Sequence, residues 1–170
     1  MKLLRTEPQA LSAALHAQVD TLLRTAFDLT DPYDYGPDRA ELVLVLDDTG
    51  GAIGHAATYR RPISIGEETV TVGMIGGVAI DAAERGRGHV RVLMAEIHRH
   101  FTAEALPFSL LFAFVPAVYR SSGYREMTNT TRFLDHDGAW KDLVFRGGMV
   151  AELGRRRWPD LPIDLRGPGV

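Results

Sequence analysis

Val78-Ala79-Ile80-Asp81-Ala82-Ala83-Glu84-Arg85-Gly86-Arg87-Gly88-His89-Val90 is the stretch on which the fold turns. An apolar segment ends at Ile80 and two glycines alternate with two arginines. Val90, Leu93, Met94, Ile97 and Phe101 then fall on one face of a helix, with Arg91, Glu96 and Arg99 elsewhere. A strand therefore runs into a helix through a glycine-rich turn. The first turn of a helix leaves backbone N–H groups unpartnered at the positive end of its dipole, which favours a phosphate. Glycine at 86 and 88 removes side chains that would keep a diphosphate from the backbone, and Arg85 and Arg87 add charge-assisted bonds. No Gly-Lys-Ser/Thr follows, so this is not a P-loop, and the third glycine of a dinucleotide fingerprint is missing. On spacing alone, a tight left-handed turn with solvated arginines is an equally good reading.

Downstream, the helix ends before Pro107, and residues 108–115 form a continuous apolar run of strand length, suited to a central strand buried on both faces. A strand, a helix and a second strand in this order make one parallel crossover. Upstream, residues 41–46 and 52–60 flank the turn Asp47-Asp48-Thr49-Gly50-Gly51 as a hairpin. A second hairpin through residues 63–69 enters a long strand over 70–80. Leu11, Leu15, Val19, Leu22, Leu23 and Phe27 recur at helical spacing within residues 8–27. The turn-rich segment 29–39 carries Tyr33 and Tyr35, either toward a binding cleft or as a plain connector. Beyond 115 the pattern predicts a short helix at 116–122, strands near 128–134 and 143–149, and a proline-stiffened tail over 153–170 packed on the sheet edge.

The chain's 170 residues and 45% apolar content suit one domain with one core. A net charge of -3 argues against a nucleic-acid partner but leaves room for a local basic patch holding one anion. With no cysteine, thiolate nucleophiles, disulfides and sulfur-based zinc sites are excluded. No metal site is expected: His98 and His100, two apart on a helix, face different ways. The longest apolar run falls well short of the roughly 20 residues that span a bilayer, and the first ten residues lack the apolar run of a signal peptide. A soluble cytoplasmic protein is the expectation.

These motifs resemble the GNAT acetyltransferase family, whose cofactor loop reads Arg/Gln-x-x-Gly-x-Gly/Ala after an apolar-Ala-Val strand. Val78-Ala79-Ile80 and Arg85-Gly86-Arg87-Gly88-His89 match it, while Val90 stands where glycine or alanine is usual. A second landmark, Tyr-x-x-x-Gly-Phe/Tyr, is met by Tyr119-Arg120-Ser121-Ser122-Gly123-Tyr124. His55-Ala56-Ala57, Arg60-Arg61, Gly66 and Gly77-Val78-Ala79 look like the aminoglycoside 2'-N-acetyltransferase branch, and the end, Trp158-Pro159 to Pro168, is similar to the nodulation N-acyltransferases. The resemblance implies an α+β fold with a mostly antiparallel sheet of six to seven strands, one parallel crossover and helices on both faces.

It also implies acetyl-CoA as donor, held by Val78, Ala79, Ile80, Arg85, Gly86, Arg87, Gly88, His89 and Val90, with pantetheine pairing along Val78 and Ile80. Tyr119 is implied as the general acid to the departing thiolate, a role suited to a phenol of pKa about 10. The acceptor would be a primary amine of a small molecule, met by Tyr33, Tyr35, Gly76 and Gly77, and relatives are often homodimers. The amine needs a base, yet the strand over 70–80 has no carboxylate; Gly76 and Gly77 occupy the place where relatives often keep a glutamate. His55, Asp81, His89 and the terminal carboxylate after Val170 are the candidates, each with a plainer explanation as a surface or loop group. Two functions stay open: an N-acetyltransferase, with aminoglycosides or aminosugars as an alternative substrate class, and an acyl-CoA-binding sensor without turnover.

Overall fold

The structure is a computed structural model that describes residues 1–35, 40–48 and 50–169. Its chain divides into two compact units, one of residues 1–59 and 75–96, the other of residues 60–74 and 97–170. Two strands, β3 (Gly51–Ile65) and β4 (Glu68–Ile80), and the helix α2 (His89–Ala103) contribute to both.

In the first unit, β1 (Lys2–Thr6) pairs antiparallel with β2 (Leu42–Asp48), which pairs antiparallel with β3 in a register that sets Val45 opposite His55. Helix α1 (Ala13–Phe27) begins at Ser12, whose hydroxyl accepts the Leu15 N–H, and ends at Asp28 in a left-handed conformation. Its apolar stripe of Val19, Leu22 and Leu23 packs with Val45 and Ala79. Gln18, on the polar side, accepts the Ala52 N–H and donates to the Gly50 carbonyl, tying the helix to the β2–β3 turn. The helix read over 8–27 is thus two elements, because Pro8 starts a separate short 3-10 turn at Pro8–Ala10.

The second unit adds β5 (Phe108–Phe112), β6 (Arg125–Glu126), β7 (Thr130–Leu134), β8 (Trp140–Val144), β9 (Gly148–Glu152) and β10 (Ile163–Pro168). Strand order runs β6-β9-β5-β4-β3-β10-β7-β8, with β9 antiparallel to both β5 and β6. On α2, Leu93, Met94, Ile97 and Phe101 are fully buried, and each such side chain contributes about 1.5–3 kcal/mol. The Phe101 ring lies where a side chain on Gly73 would stand, 2.4 Å from its Cβ position.

The α+β class and the mostly antiparallel sheet agree with the sequence reading, and the details correct it. Among the described residues the sheet has ten strands rather than six or seven. The apolar run from Phe108 ends as a strand at Phe112, and Phe114 is 92% exposed. The strand read over 143–149 is the end of β8 and the start of β9, separated by a turn in which the Gly148 N–H donates to Phe145 O. The tail is no edge cover: β10 pairs antiparallel with β3 and parallel with β7, adding a parallel pair that the sequence reading lacked. Asn129 holds the approach to β10, donating to the carbonyls of Pro159 and Leu161 and accepting the Trp158 indole N–H at 2.7 Å.

Candidate functional site

The turn after β4 is built from its own backbone. Asp81 ends the strand, its N–H donating to Ile53 O, and its carboxylate accepts the Ala83 N–H at 2.9 Å, opening a 3-10 turn at Ala82–Glu84. Arg85 folds back to donate from Nε to Ile80 O at 3.3 Å. Gly86 and Gly88 then take φ of 78° and 82°, and a Cβ on either would meet nothing within 4 Å. The bonds of α2 begin with Val92 N–H donating to Gly88 O, so helix geometry leaves the N–H groups of His89, Val90 and Arg91 without an intrahelical acceptor. Open space over two glycines, amides without intrahelical acceptors and the positive end of a 15-residue helix together fit a diphosphate.

Glu84 sits within this cradle. Its Oε2 lies 3.2 Å from Arg87 Nη1 and 3.3 Å from His89 Nε2, so two groups read as cofactor ligands already face an internal carboxylate. The i,i+3 spacing of Glu84 and Arg87 was readable in the sequence; the His89 contact was not. Beside the cradle lies a cleft of about 480 Å³, lined by Gln18, Thr21 and Thr25 of α1 and by Ile80, Asp81 and Arg85.

Further back on β4 a second group assembles. Gly77 has φ of 59°, and a Cβ there would stand 3.1 Å from the Tyr33 hydroxyl and 3.2 Å from His55 Cε1. His55, fully buried, places Nδ1 2.7 Å from the Gly77 carbonyl and Nε2 3.2 Å from the Tyr35 hydroxyl. A carbonyl only accepts, so Nδ1 carries the hydrogen and Nε2 accepts from the Tyr35 O–H. Burial lowers the imidazole to about 4, keeping it neutral near pH 7, and raises Tyr33 and Tyr35 to about 12. Tyr33 and Tyr35 meet edge to face at 5.1 Å, Tyr33 lies 5.8 Å from Phe27, and the Tyr33 N–H donates to Asp20 at 3.2 Å. Tyr33, Tyr35 and Gly77, expected to touch substrate, therefore gather around His55, with Gly76 beside them and buried.

Each candidate base is engaged: His55 through both nitrogens, Asp81 as a cap, and His89 with Glu84. The carboxylate after Val170 lies outside the described residues. In the second unit, Tyr119 is half-buried in the 3-10 segment Pro116–Ser122, edge-on to Tyr124 at 6.1 Å, and burial raises its phenol to about 12. Unforeseen from sequence is the buried chain around Tyr124, whose hydroxyl lies 2.9 Å from His98 Nε2 and 2.6 Å from Ser109 Oγ. Of the basic run 155–157, Arg156 pairs with Glu68 and Arg157 with Glu152. Among the described residues no helix is long and apolar enough to cross a membrane.

The family model for the acetyltransferase (GNAT) domain matches residues 7–127. The chain belongs to that family. A search of curated proteins gives no match. Among solved structures, the Escherichia coli GNAT family N-acetyltransferase YhbS in complex with CoA aligns over 97% of this chain and 90% of its own, at 19% identity and a TM-score of 0.67. A Brucella melitensis GNAT family acetyltransferase in complex with acetyl-CoA aligns over 95% and 94%, at 16% identity and a TM-score of 0.61. A probable N-acyltransferase from Enterococcus faecalis aligns over 75% of this chain at 16% identity and a TM-score of 0.61, and here the chain spans only 33% of the other protein's length. At such identities the likeness is one of fold, and it corroborates the GNAT fold.

Proposed function

We propose that this chain transfers an acetyl group from acetyl-CoA to a primary amine of a small molecule. The observation that carries the reading is the open cradle at residues 85–90, with two left-handed glycines under free space and three amides without intrahelical acceptors. Family membership over residues 7–127 and the CoA and acetyl-CoA complexes of the two neighbours support the choice of ligand.

Acetyl-CoA supplies the acetyl thioester. The amides at the start of α2, with Arg85 and Arg87, hold its diphosphate, while the backbone of Val78 and Ile80 holds the pantetheine arm. The Val78 N–H stabilises charge on the thioester oxygen as the amine nitrogen bonds to the acyl carbon. The carbon–sulfur bond breaks and Tyr119 gives its proton to the sulfur, leaving an amide and free thiol. Its phenol, raised to about 12 by burial, is protonated and available throughout the neutral range. Asp81, one of the residues lining the 480 Å³ cleft, is the proposed base through water.

Tyr119→Phe should lower thiol release at least tenfold, as expected for loss of a positioned acid, while CoA binds as before; unchanged turnover would remove the tyrosine from this role. A second reading, an acyl-CoA-binding sensor, draws on the absence of any carboxylate in residues 70–80. Thiol release across aminoglycosides, aminosugars, polyamines and amino acids separates the two: a sensor binds acetyl-CoA and releases none.

A further inference from the structure

Gly77 combines a positive φ within β4 with a carbonyl bonded to a side chain of the neighbouring strand β3, at 2.7 Å from His55 Nδ1. Side chains stand roughly perpendicular to a sheet, so a carbonyl reaching one has turned from the ladder toward the face that His55 occupies. The chain contains no cis peptide among the described residues, and in a trans peptide the N–H points opposite to the C=O across one plane. Holding Gly77 O on one face therefore holds the Val78 N–H toward the other.

We infer that His55 is a positioning residue: by fixing the Gly77–Val78 peptide plane it sets the direction of the Val78 N–H, the amide assigned above to the thioester oxygen. The inference rests on that assignment. The imidazole is itself held from behind. Tyr35 donates to its Nε2, Tyr33 packs edge-on against Tyr35, and the Tyr33 N–H is tied to Asp20 on α1. A methyl on Gly77 would stand 3.1 Å from the Tyr33 hydroxyl and 3.2 Å from His55 Cε1, so one of them would have to give by a few tenths of an ångström. With Nδ1 donating and Nε2 accepting, the ring has no nitrogen lone pair left for substrate. It works through the peptide it holds, and the glycine, the imidazole and the tyrosine pair form one device.

The test combines three variants with a readout that needs no ligand. In the unliganded wild type, nitrogen NMR should show His55 as the neutral Nδ1–H tautomer. His55→Leu should shift the Val78 amide resonance and lower kcat for acetyl-CoA thiol release by about 10- to 100-fold, less than the roughly 100- to 1000-fold of an oxyanion donor removed outright, because the amide is misaimed rather than lost. The CoA dissociation constant should stay within about threefold, since the diphosphate cradle is untouched. His55→Gln, which retains an N–H donor, should recover most of kcat, and Tyr35→Phe should cost about two- to fivefold, a fraction of the direct loss. Wild-type kcat in His55→Leu, a parallel loss of CoA affinity, or the Nε2–H tautomer would each overturn the inference. If His55→Leu fails to fold, the tautomer and Tyr35→Phe decide it. A wild type that binds no CoA and releases no thiol defeats the acetyltransferase reading instead, while the tautomer and the Val78 shift still test the clamp.

Discussion

Gly88→Ala separates a glycine that merely makes a turn from one that makes room for a ligand. In the free protein the new methyl meets nothing within 4 Å, so the only cost is the left-handed conformation at φ of 82°. That cost is about 1–2 kcal/mol, which in a chain of this size lowers the melting temperature by roughly 2–8 °C. If a diphosphate lies against these amides, the methyl occupies its place and at least one charge-assisted hydrogen bond is lost, worth about 1.5–3 kcal/mol. The expected CoA dissociation constant rises by about 10- to 150-fold. Scanning calorimetry gives the first number and titration calorimetry the second, on the same preparations. A variant with the expected melting loss and wild-type CoA affinity would refute the reasoning: the glycine would then serve the turn alone.

Three further outcomes follow from other parts of the molecule. The His55 pKa is lowered from 6.5 to about 4 by burial, so the folded state prefers the neutral ring; this stability is complete above pH 6.5 and disappears as pH falls toward 4, by about 3 kcal/mol. Urea midpoints at pH 7 and pH 4 should therefore differ less in His55→Gln than in the wild type, and an equal midpoint difference in the two would contradict the burial argument. Glu84→Gln, which frees Arg87 and His89 from an internal carboxylate, should tighten CoA binding about two- to fivefold at low salt, the modest size expected where Arg87 is exposed; weaker binding in a titration would contradict it. Asn129→Ala leaves two carbonyls and the Trp158 indole N–H without their partner and should cost about 3 kcal/mol in chemical denaturation. A loss under 1 kcal/mol would mean that water replaces the asparagine.

Periodicity carried much of the fold into the sequence. The apolar face of α2, the run beginning at Phe108 and the glycine–arginine alternation at 85–88 each state a local preference that the structure honours. What stayed hidden depends on partners distant in the chain. Strand β1 offers five residues of mixed character and becomes a strand because Leu3 and Leu4 lie beside Leu46 and Val45. Strand β8 is exposed at nearly every position, so it has no alternation to read. Strand β10 hid behind its prolines, although Ile163 and Leu165 alternate correctly and are buried. The left-handed glycine turn at residues 86–88 was legible for the same local reason as the helices, since glycines before a helix declare their own geometry. His55 was singled out as a candidate base, but its contacts were not legible, because its partners Gly77 and Tyr35 are 22 and 20 residues away in the chain.

The central claim is that amides around residues 85–90 grip a diphosphate and so aim a thioester. Titration of CoA into the wild-type chain tests it most directly, followed by a melting scan of the same mixture. One site per chain with saturable heat, and an upward shift equivalent to about 2.7 kcal/mol at a hundredfold excess over the dissociation constant, is the outcome the account requires. No heat and an unmoved melting temperature would contradict it.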